Sequence, residues 1–160
     1  MSDRKVSAVD RFREEAAARG LGQLDVREFP EGTRTAADAA RAIGCEIGQI
    51  VKSVVLMGDG VPVVALTSGA NRADTAKIAA IVGAARVRKA DAVEAREATG
   101  FAIGGTPPFS HPRTLRVLMD RDLLGYDEVW AAAGTPASVF PISPGDLVRA
   151  AGAEVVDLKE

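Results

Sequence analysis

The stretch from Gln49 to Met57 constrains the fold of this chain more than any other. It is a run of apolar and β-branched residues that contains one charged residue, Lys52, and the turn sequence Gly58-Asp59-Gly60 follows it. Such a run predicts a strand that is buried on both faces. Val61 to Leu66 predicts a second strand directly after the turn, so the two form a predicted hairpin.

The lysine inside this strand requires an explanation, because an ammonium group is rarely buried without a partner. Lys52 either extends along the apolar surface to reach solvent at a sheet edge, or it points into a site that needs a positive charge. The strand pattern alone leaves both alternatives open.

Helical spacing and capping residues predict the other elements. Helices are predicted at Ser7 to Arg19, at Ala36 to Ile43 behind a Thr35 cap, from Asp74 to Gly83, from Asp91 to Gly100, and from Ser143 onward. Short strands are predicted at Leu24 to Phe29, Arg86 to Arg88, Leu115 to Met119, Val129 to Ala133, Val139 to Ile142 and near Val155. Strands and helices are interleaved, but several strands are linked as hairpins. We therefore expect an α/β (α+β) fold, with a mixed, largely antiparallel central sheet and helices packed around it, in one domain over residues 1–160.

Composition limits the functional classes. The net charge of −2 argues against a protein that coats long stretches of nucleic acid, but it allows one that grips only the end of an RNA. One cysteine excludes an internal disulfide and fits a reducing compartment. The sequence has neither a signal-peptide pattern nor an apolar run of about 20 residues, the length needed to span a bilayer. We therefore expect a cytoplasmic protein with no membrane partner.

Several catalytic classes are excluded by the residues present. One histidine and one cysteine cannot supply a typical zinc site, and the chain has no Walker loop, dinucleotide fingerprint or Gly-x-Ser-x-Gly elbow. We therefore expect no metal and no cofactor. Cys45 fits a small packing residue better than a nucleophile. His111 lies in a loop without an identifiable orienting partner, so it fits a structural role better than that of a general base.

The most irregular stretch, Ile103 to Pro112, holds two glycines and three prolines in ten residues. Glycine lets the backbone approach a ligand closely, and proline keeps a loop stiff. This loop therefore either holds a small polar group or a water molecule through its backbone, or is a rigid turn between elements.

Taken in order, these segments resemble the YbaK/prolyl-tRNA synthetase-associated domain family. The motifs are Ile50-Val51-Lys52-Ser53-Val54-Val55, Asp74-Thr75-Ala76-Lys77-Ile78-Ala79, Thr99-Gly100-Phe101, Gly104-Gly105-Thr106-Pro107-Pro108-Phe109, Val129-Trp130-Ala131-Ala132-Ala133-Gly134 and Ile142-Ser143-Pro144-Gly145-Asp146-Leu147. The resemblance extends from about Phe29 to Leu147, and it implies the fold of that family. It also implies a freestanding enzyme that hydrolyses, in trans, the ester of a mischarged tRNA, typically the tRNA for proline.

The resemblance also implies roles for individual residues. Lys52 matches the family's strand lysine, which contacts the phosphate or the aminoacyl end of the substrate, and Ser53 matches the Thr or Ser that follows it. The family's Gly-x-x-x-Pro loop matches Gly104 to Pro108, so Lys52, Gly104 and Gly105 are the expected catalytic residues. The expected substrate-binding residues are Ser53, Thr106, Pro107, Pro108, Gly134 and Val139. The implied partners are the acceptor end of an aminoacyl-tRNA and prolyl-tRNA synthetase.

Two departures from the family concern specificity. Val139 stands where cysteine-specific relatives have an aspartate, which makes the pocket more apolar, and Pro107 stands where many relatives have serine. Two other functions stay open at this point. One is a non-catalytic module of the same fold that binds the tRNA end or a synthetase, and the other is a binder of nucleotide phosphates that uses Lys52 and the glycine loop.

Overall fold

The computed structural model describes residues 7–29, 35–109, 111 and 114–160. Within them, eight strands form one sheet. The strands are β1 (Arg27–Glu28), β2 (Ile50–Gly58), β3 (Val61–Ser68), β4 (Val87–Lys89), β5 (Arg116–Asp120), β6 (Val129–Ala132), β7 (Ser138–Ile142) and β8 (Glu154–Val156). The helices are α1 (Ala8–Ala18), α2 (Ala36–Ile43), α3 (Thr75–Val82), α4 (Ala92–Thr99) and α5 (Pro144–Ala151).

The β2–β3 hairpin lies at the centre of the sheet. The strand order is β1-β7-β6-β2-β3-β5-β8, and β4 also pairs with β2. The pairings β1–β7, β6–β7, β2–β3 and β2–β4 are antiparallel, whereas β2–β6, β3–β5 and β5–β8 are parallel. The predicted hairpin, and the mixed and largely antiparallel sheet with helices around it, are therefore confirmed.

The predicted helix ends are also confirmed by their capping contacts. The Thr35 hydroxyl accepts from the Asp38 N–H at the start of α2, and the Ser143 hydroxyl accepts from the Asp146 N–H at the start of α5. The strand predicted at Leu24 to Phe29 is wrong in its extent, because only Arg27 and Glu28 pair with β7. Leu24 and Val26 pack against the core instead.

Two apolar clusters lie on opposite faces of the hairpin. One contains Val51 of β2 and Phe12 of α1, and the other contains Leu56 of β2 and Ile78 of α3. The irregular segment is tied to the first cluster by Phe109, whose ring centroid lies 5.3 Å from that of Phe12. No helix in the described part of the chain is both long and apolar enough to cross a membrane.

The segment from Ala102 to Pro108 forms a compact loop without a strand or a helix, as its glycines and prolines predict. The Gly105 N–H and the Thr106 hydroxyl both donate to the Ala102 carbonyl, each at 3.0 Å. A Cβ atom on Gly105 would lie 2.8 Å from Thr135 Cα, so the loop rests directly on the backbone that follows β6. Ser110 and Pro112, at the end of the irregular stretch, lie outside the described residues.

The close approach at Gly105 predicts a large effect of adding one methyl group. Gly105→Ala places a Cβ against backbone atoms that cannot rotate away, so we expect a loss of about 1–3 kcal/mol in the free energy of unfolding. Urea denaturation measures this loss. Gly125→Ala is the matched control, because nothing lies within 4 Å of its Cβ position. Equal stability of the two variants would contradict the close approach.

His111 contacts the same loop, and its burial predicts that the free energy of unfolding depends on pH. Its Nε2 lies 2.8 Å from the Pro107 carbonyl oxygen. Burial lowers the pKa of His111 below its ordinary value, and the hydrogen bond with Pro107 opposes this only in part. The unfolded chain, in which a histidine has a pKa of about 6.5, therefore binds a proton more readily than the folded one.

We therefore expect the contribution of His111 to stability to be complete above about pH 6.5 and to be lost as the pH falls through the lowered folded-state pKa. His111→Gln keeps a side chain that donates to the Pro107 carbonyl but does not titrate. Between pH 8 and pH 5, the free energy of unfolding should fall less for this variant than for the wild type. Parallel curves for the two proteins would show that His111 is not the titrating group.

Candidate functional site

A break in the pairing of β2 creates a cavity in the sheet. β6 pairs with β2 only at Ile50 and Val51, and β4 pairs with it only from Leu56. The residues between them, Lys52 to Val55, have a strand partner in β3 alone. A cavity of about 610 Å³ lies at this open edge.

Five parts of the chain line the cavity. They are the residues from Ile47 to Val55, the start of α2, the end of β4, the glycine–proline loop (Ala102 to Pro108) and the β6–β7 hairpin. The lining residues include Thr35, Ala36, Ala39, Ile50, Val51, Lys52, Ser53, Val54, Val55, Lys89, Ile103, Gly104, Thr106, Trp130, Pro136, Ser138 and Val139. Successive side chains of a strand point to opposite faces, so Lys52 and Ser53 approach the cavity from different sides of the sheet.

Lys52 is half-buried in the cavity wall rather than extended into solvent. Its Nζ donates a hydrogen bond of 2.8 Å to the backbone carbonyl of Asn71, in the loop after β3. Burial lowers the pKa of Lys52, and the positive charges of Lys89 and Arg72 lower it further, whereas the carboxylate of Asp120 raises it. The structure therefore holds the ammonium group of Lys52 in a partly desolvated position at the cavity. This position fits a lysine that points into a site better than one that reaches solvent at a sheet edge.

Ser53 presents a hydroxyl group that the fold leaves without a partner. Its Oγ is buried, and none of the described residues forms a hydrogen bond with it. An unsatisfied buried hydroxyl costs free energy unless a water molecule or a ligand bonds to it. Because Ser53 lines the cavity, the cavity is where such a partner would come from.

The loop reaches the cavity through Gly104 and Thr106, but not through its other predicted residues. Gly105, Pro107 and Pro108 are buried and do not line the cavity. The Gly105 N–H is already bonded to Ala102, whereas no described residue accepts from the N–H of Gly104 or of Thr106. Direct contact of Gly105, Pro107 or Pro108 with a substrate therefore stays a prediction, and the observed contacts give Gly105 a supporting position.

Gly134 also lies away from the cavity and supports it. Its φ is +113°, and a Cβ there would lie 2.7 Å from the carbonyl oxygen of Ala8 in α1. The Gly134 carbonyl in turn would lie 2.9 Å from a Cβ on Gly105. Gly134 therefore lets the glycine loop, the β6–β7 hairpin and α1 pack backbone against backbone.

Val139 forms part of an apolar section of the cavity wall. It packs in a cluster with Ala39, Ile50 and Trp130, all of which line the cavity. This placement agrees with the expectation that a valine at this position makes the pocket apolar.

Sequence reasoning missed two residues of this site. Ser138 lines the cavity, and Asn71 holds Lys52, yet neither belongs to a motif that was singled out. Asn71 lies 19 residues from Lys52 along the chain, so no local pattern links the two. Lys89, which also lines the cavity, is one of the basic residues that on sequence grounds could steer the acceptor end of a tRNA.

The site contains positive charge and hydroxyl groups but no nucleophile paired with a base. Two of the described lining residues are lysines, and none is Asp or Glu. His111 and Cys45 do not line the cavity, and burial raises the pKa of the Cys45 thiol. Among the described residues, no group of three or more His, Cys, Asp or Glu side chains is placed to hold a metal ion. The arrangement suits an anionic ligand whose reaction depends on positioning.

Known proteins are similar to this chain in sequence, and solved structures are similar to it in fold. Residues 30–150 match the model of the aminoacyl-tRNA editing domain. The chain is 31% identical over 124 residues to the uncharacterized protein YwhH of Bacillus subtilis (strain 168), covering 77% of this chain and 78% of that protein. It is 31% identical over 121 residues to the multifunctional Ser/Thr-tRNA deacylase ProXp-y of Escherichia coli (strain K12), covering 72% of each.

A solved structure is similar over the whole chain. It is the crystal structure of a candidate trans-editing enzyme for prolyl tRNA synthetase, with 47% identity, a TM-score of 0.91, and coverage of 100% of this chain and 99% of the other. These matches confirm the resemblance that the ordered motifs predict. The chain belongs to the aminoacyl-tRNA editing domain family.

Proposed function

We propose that this protein is a deacylase that hydrolyses, in trans, the ester between a wrong amino acid and the terminal adenosine of a tRNA. The observation that carries the proposal is the cavity at the open edge of β2, where Lys52, Ser53 and Gly104 meet. Membership of the editing-domain family supports it, as does similarity to the Ser/Thr-tRNA deacylase ProXp-y and to the candidate trans-editing enzyme for prolyl tRNA synthetase. The tRNA for proline is the proposed substrate, and prolyl-tRNA synthetase is the proposed partner.

The charge of the cavity suits the acceptor end of a tRNA. Lys52 and Lys89 both line it, and the described lining residues include no carboxylate that would repel a phosphate. Lysine carries a compact charge on a flexible stem, which suits a single phosphate group. Lys52 is further restrained by its hydrogen bond to Asn71, so its ammonium lies ready in the cavity wall. We infer that Lys52 anchors the substrate electrostatically and does not act as a base or a nucleophile.

The reaction needs little from the protein beyond positioning. An aminoacyl ester is already activated, so orientation and preorganised hydrogen-bond donors accelerate its hydrolysis without a triad. The N–H groups of Gly104 and Thr106, from which no described residue accepts, and the buried hydroxyl of Ser53 are such donors. In this proposal, water adds to the ester carbonyl and the bond to the ribose oxygen breaks. The neighbouring ribose hydroxyl relays the proton of the water to that departing oxygen, so the protein need not supply a general base.

The apolar section of the cavity wall is the proposed contact for the amino acid that is removed. Val139 and Trp130 form this section, and the hydroxyl group of Ser138 beside it is already bonded to Thr135. Alanine, cysteine, serine and threonine are the candidates for the amino acid that is removed. Similarity to the Ser/Thr-tRNA deacylase ProXp-y favours serine and threonine. Size alone discriminates weakly, because one methylene group is worth only about 1–3 kcal/mol.

A panel of mischarged tRNAs tests the activity and its specificity together. The tRNA for proline is charged in turn with alanine, cysteine, serine, threonine and proline, and ester release is measured for each. We expect release of at least one of the small non-cognate amino acids and sparing of the prolyl ester. Tight tRNA or synthetase binding without release from any of the five would support the non-catalytic module instead.

Replacement of the anchoring charge should abolish most of the activity but not the fold. We expect Lys52→Ala to lower the rate of ester release by about 100-fold or more, because it removes a charge aimed at the substrate from a partly desolvated site. The free energy of unfolding should change by no more than about 1 kcal/mol, since one hydrogen bond is lost.

Lys77→Ala is the matched control for this experiment. It removes the same ammonium group from α3, where Lys77 pairs with Asp157 and does not line the cavity. Its rate of release should equal that of the wild type. A Lys52→Ala variant as active as Lys77→Ala would exclude the anchoring role.

A further inference from the structure

One buried carboxylate among the described residues acts on Lys52 although it does not line the cavity. Asp120, at the end of β5, is 1% exposed, whereas the other buried polar side chains described are all Ser or Thr. No described Lys or Arg forms a salt bridge with it. A buried carboxylate that lacks a cationic partner needs hydrogen bonds to offset its loss of hydration.

Part of the role of Asp120 is local. Its Oδ1 accepts from the Asp122 N–H at 3.0 Å and caps the 3-10 turn Arg121–Gly125. Its Oδ2, by contrast, accepts from two groups of the loop that follows β3. These are the Ser68 N–H at 3.1 Å and the Asn71 side-chain amide at 2.8 Å. Capping of the turn uses only Oδ1, so the contacts of Oδ2 require another explanation.

Asn71 connects this carboxylate to Lys52. Its amide Nδ2 lies 2.8 Å from Asp120 Oδ2 and 2.8 Å from Asp122 Oδ2. Its backbone carbonyl accepts the hydrogen bond from Lys52 Nζ. Asp122 is itself held by Lys159 at 2.6 Å, so both acceptors of the amide are fixed. The carboxylates of Asp120 and Asp122 therefore hold Asn71 in place, and the Asn71 carbonyl holds the ammonium group of Lys52.

We propose that Asn71 is a positioning residue for Lys52, and that the buried carboxylate of Asp120, with Asp122, locks it in place. The inference rests on the proposed function, because it assigns the orientation of the anchor that the reaction uses. Asn71 does not line the cavity and is not proposed to touch the substrate. It aims the ammonium group by its carbonyl and limits the orientations that Lys52 can adopt.

The same network supports the charge of Lys52. The charged groups that act on this ammonium are Lys89 of β4, Arg72 beside Asn71, and Asp120 of β5. The two cations and burial lower the pKa of Lys52, and Asp120 alone among these charges raises it. The hydrogen bond to the Asn71 carbonyl also favours the charged form, because a neutral amine gives up one donor.

The test combines ester release with a titration of the Lys52 ammonium group by NMR of protein labelled with ¹⁵N-lysine. Asn71→Ala removes the amide but keeps the backbone carbonyl, so the carbonyl is no longer held by the two carboxylates. The variant loses both bonds of the amide to the carboxylates, so the bond from Lys52 to the carbonyl is no longer held in place. We expect ester release to fall by about tenfold, the size of effect that loss of that one charge-assisted bond to Lys52 produces. The pKa of Lys52 should fall as well, and the alkaline limit of activity should move to lower pH.

Two further variants act on the charge in opposite directions. Asp120→Asn removes the favourable charge and should lower the pKa of Lys52, whereas Lys89→Gln removes an unfavourable charge and should raise it. A folded Asn71→Ala variant with an unchanged Lys52 titration would overturn the inference, even if its activity were reduced. Full activity of Asn71→Ala would overturn it too.

Failure of the proposed deacylase activity and failure of the proposed positioning by Asn71 give different results in this experiment. Ester release by the wild type tests the proposed function, whereas the Lys52 titration reads the network in the intact protein without any substrate. Thermal unfolding of each variant establishes that it is folded. Asn71→Ala provides the result independently if Asp120→Asn proves too unstable to purify.

Discussion

The open edge of β2 is the constraint on which the rest of this structure depends. A strand in the middle of a sheet normally has partners on both sides, and unpaired backbone groups inside a protein are costly. Here the pairing with β6 ends at Val51, and the chain of β4 rejoins β2 where the Ala90 N–H donates to the Val55 carbonyl, so the sheet is interrupted over Lys52 to Val54. The interruption exposes both faces of one strand to one cavity. Lys52 and Ser53 can therefore serve the same ligand although they point to opposite faces.

Close backbone packing keeps the cavity wall in place. Gly105 lies against Thr135, and Gly134 lies against Ala8, at distances where a Cβ atom would clash. These glycines do not line the cavity, yet they set how near the loop approaches β2. This explains why the segment carries adjacent glycines although only Gly104 lines the cavity. The second glycine serves packing, and the prolines that follow it are buried as well.

Local sequence signals predicted the fold well, because the contacts that decide it are local. The Thr35 and Ser143 caps and the Gly58-Asp59-Gly60 turn act within a few residues, and each element they predict is observed. The site was predicted only in part, because its contacts are distant along the chain. Lys52 stood out as a charge inside an apolar run, whereas Asn71 is an ordinary loop residue until the fold brings it to Lys52 and to Asp120, 49 residues away.

The chemistry of the site is limited because the thiol and the imidazole of the described chain lie outside the cavity. The thiol of Cys45 is packed beside α2 with a raised pKa, and the imidazole of His111 is bound to the Pro107 carbonyl with a lowered one. Neither lines the cavity, so neither is available as a nucleophile or a base there. What remains among the described residues is a fixed ammonium group, a buried hydroxyl and the N–H groups of Gly104 and Thr106, and we propose that these groups bind and orient the substrate. These groups include no strong nucleophile, so they do not promote the cleavage of unreactive bonds. They suffice for the hydrolysis of an ester that is already activated.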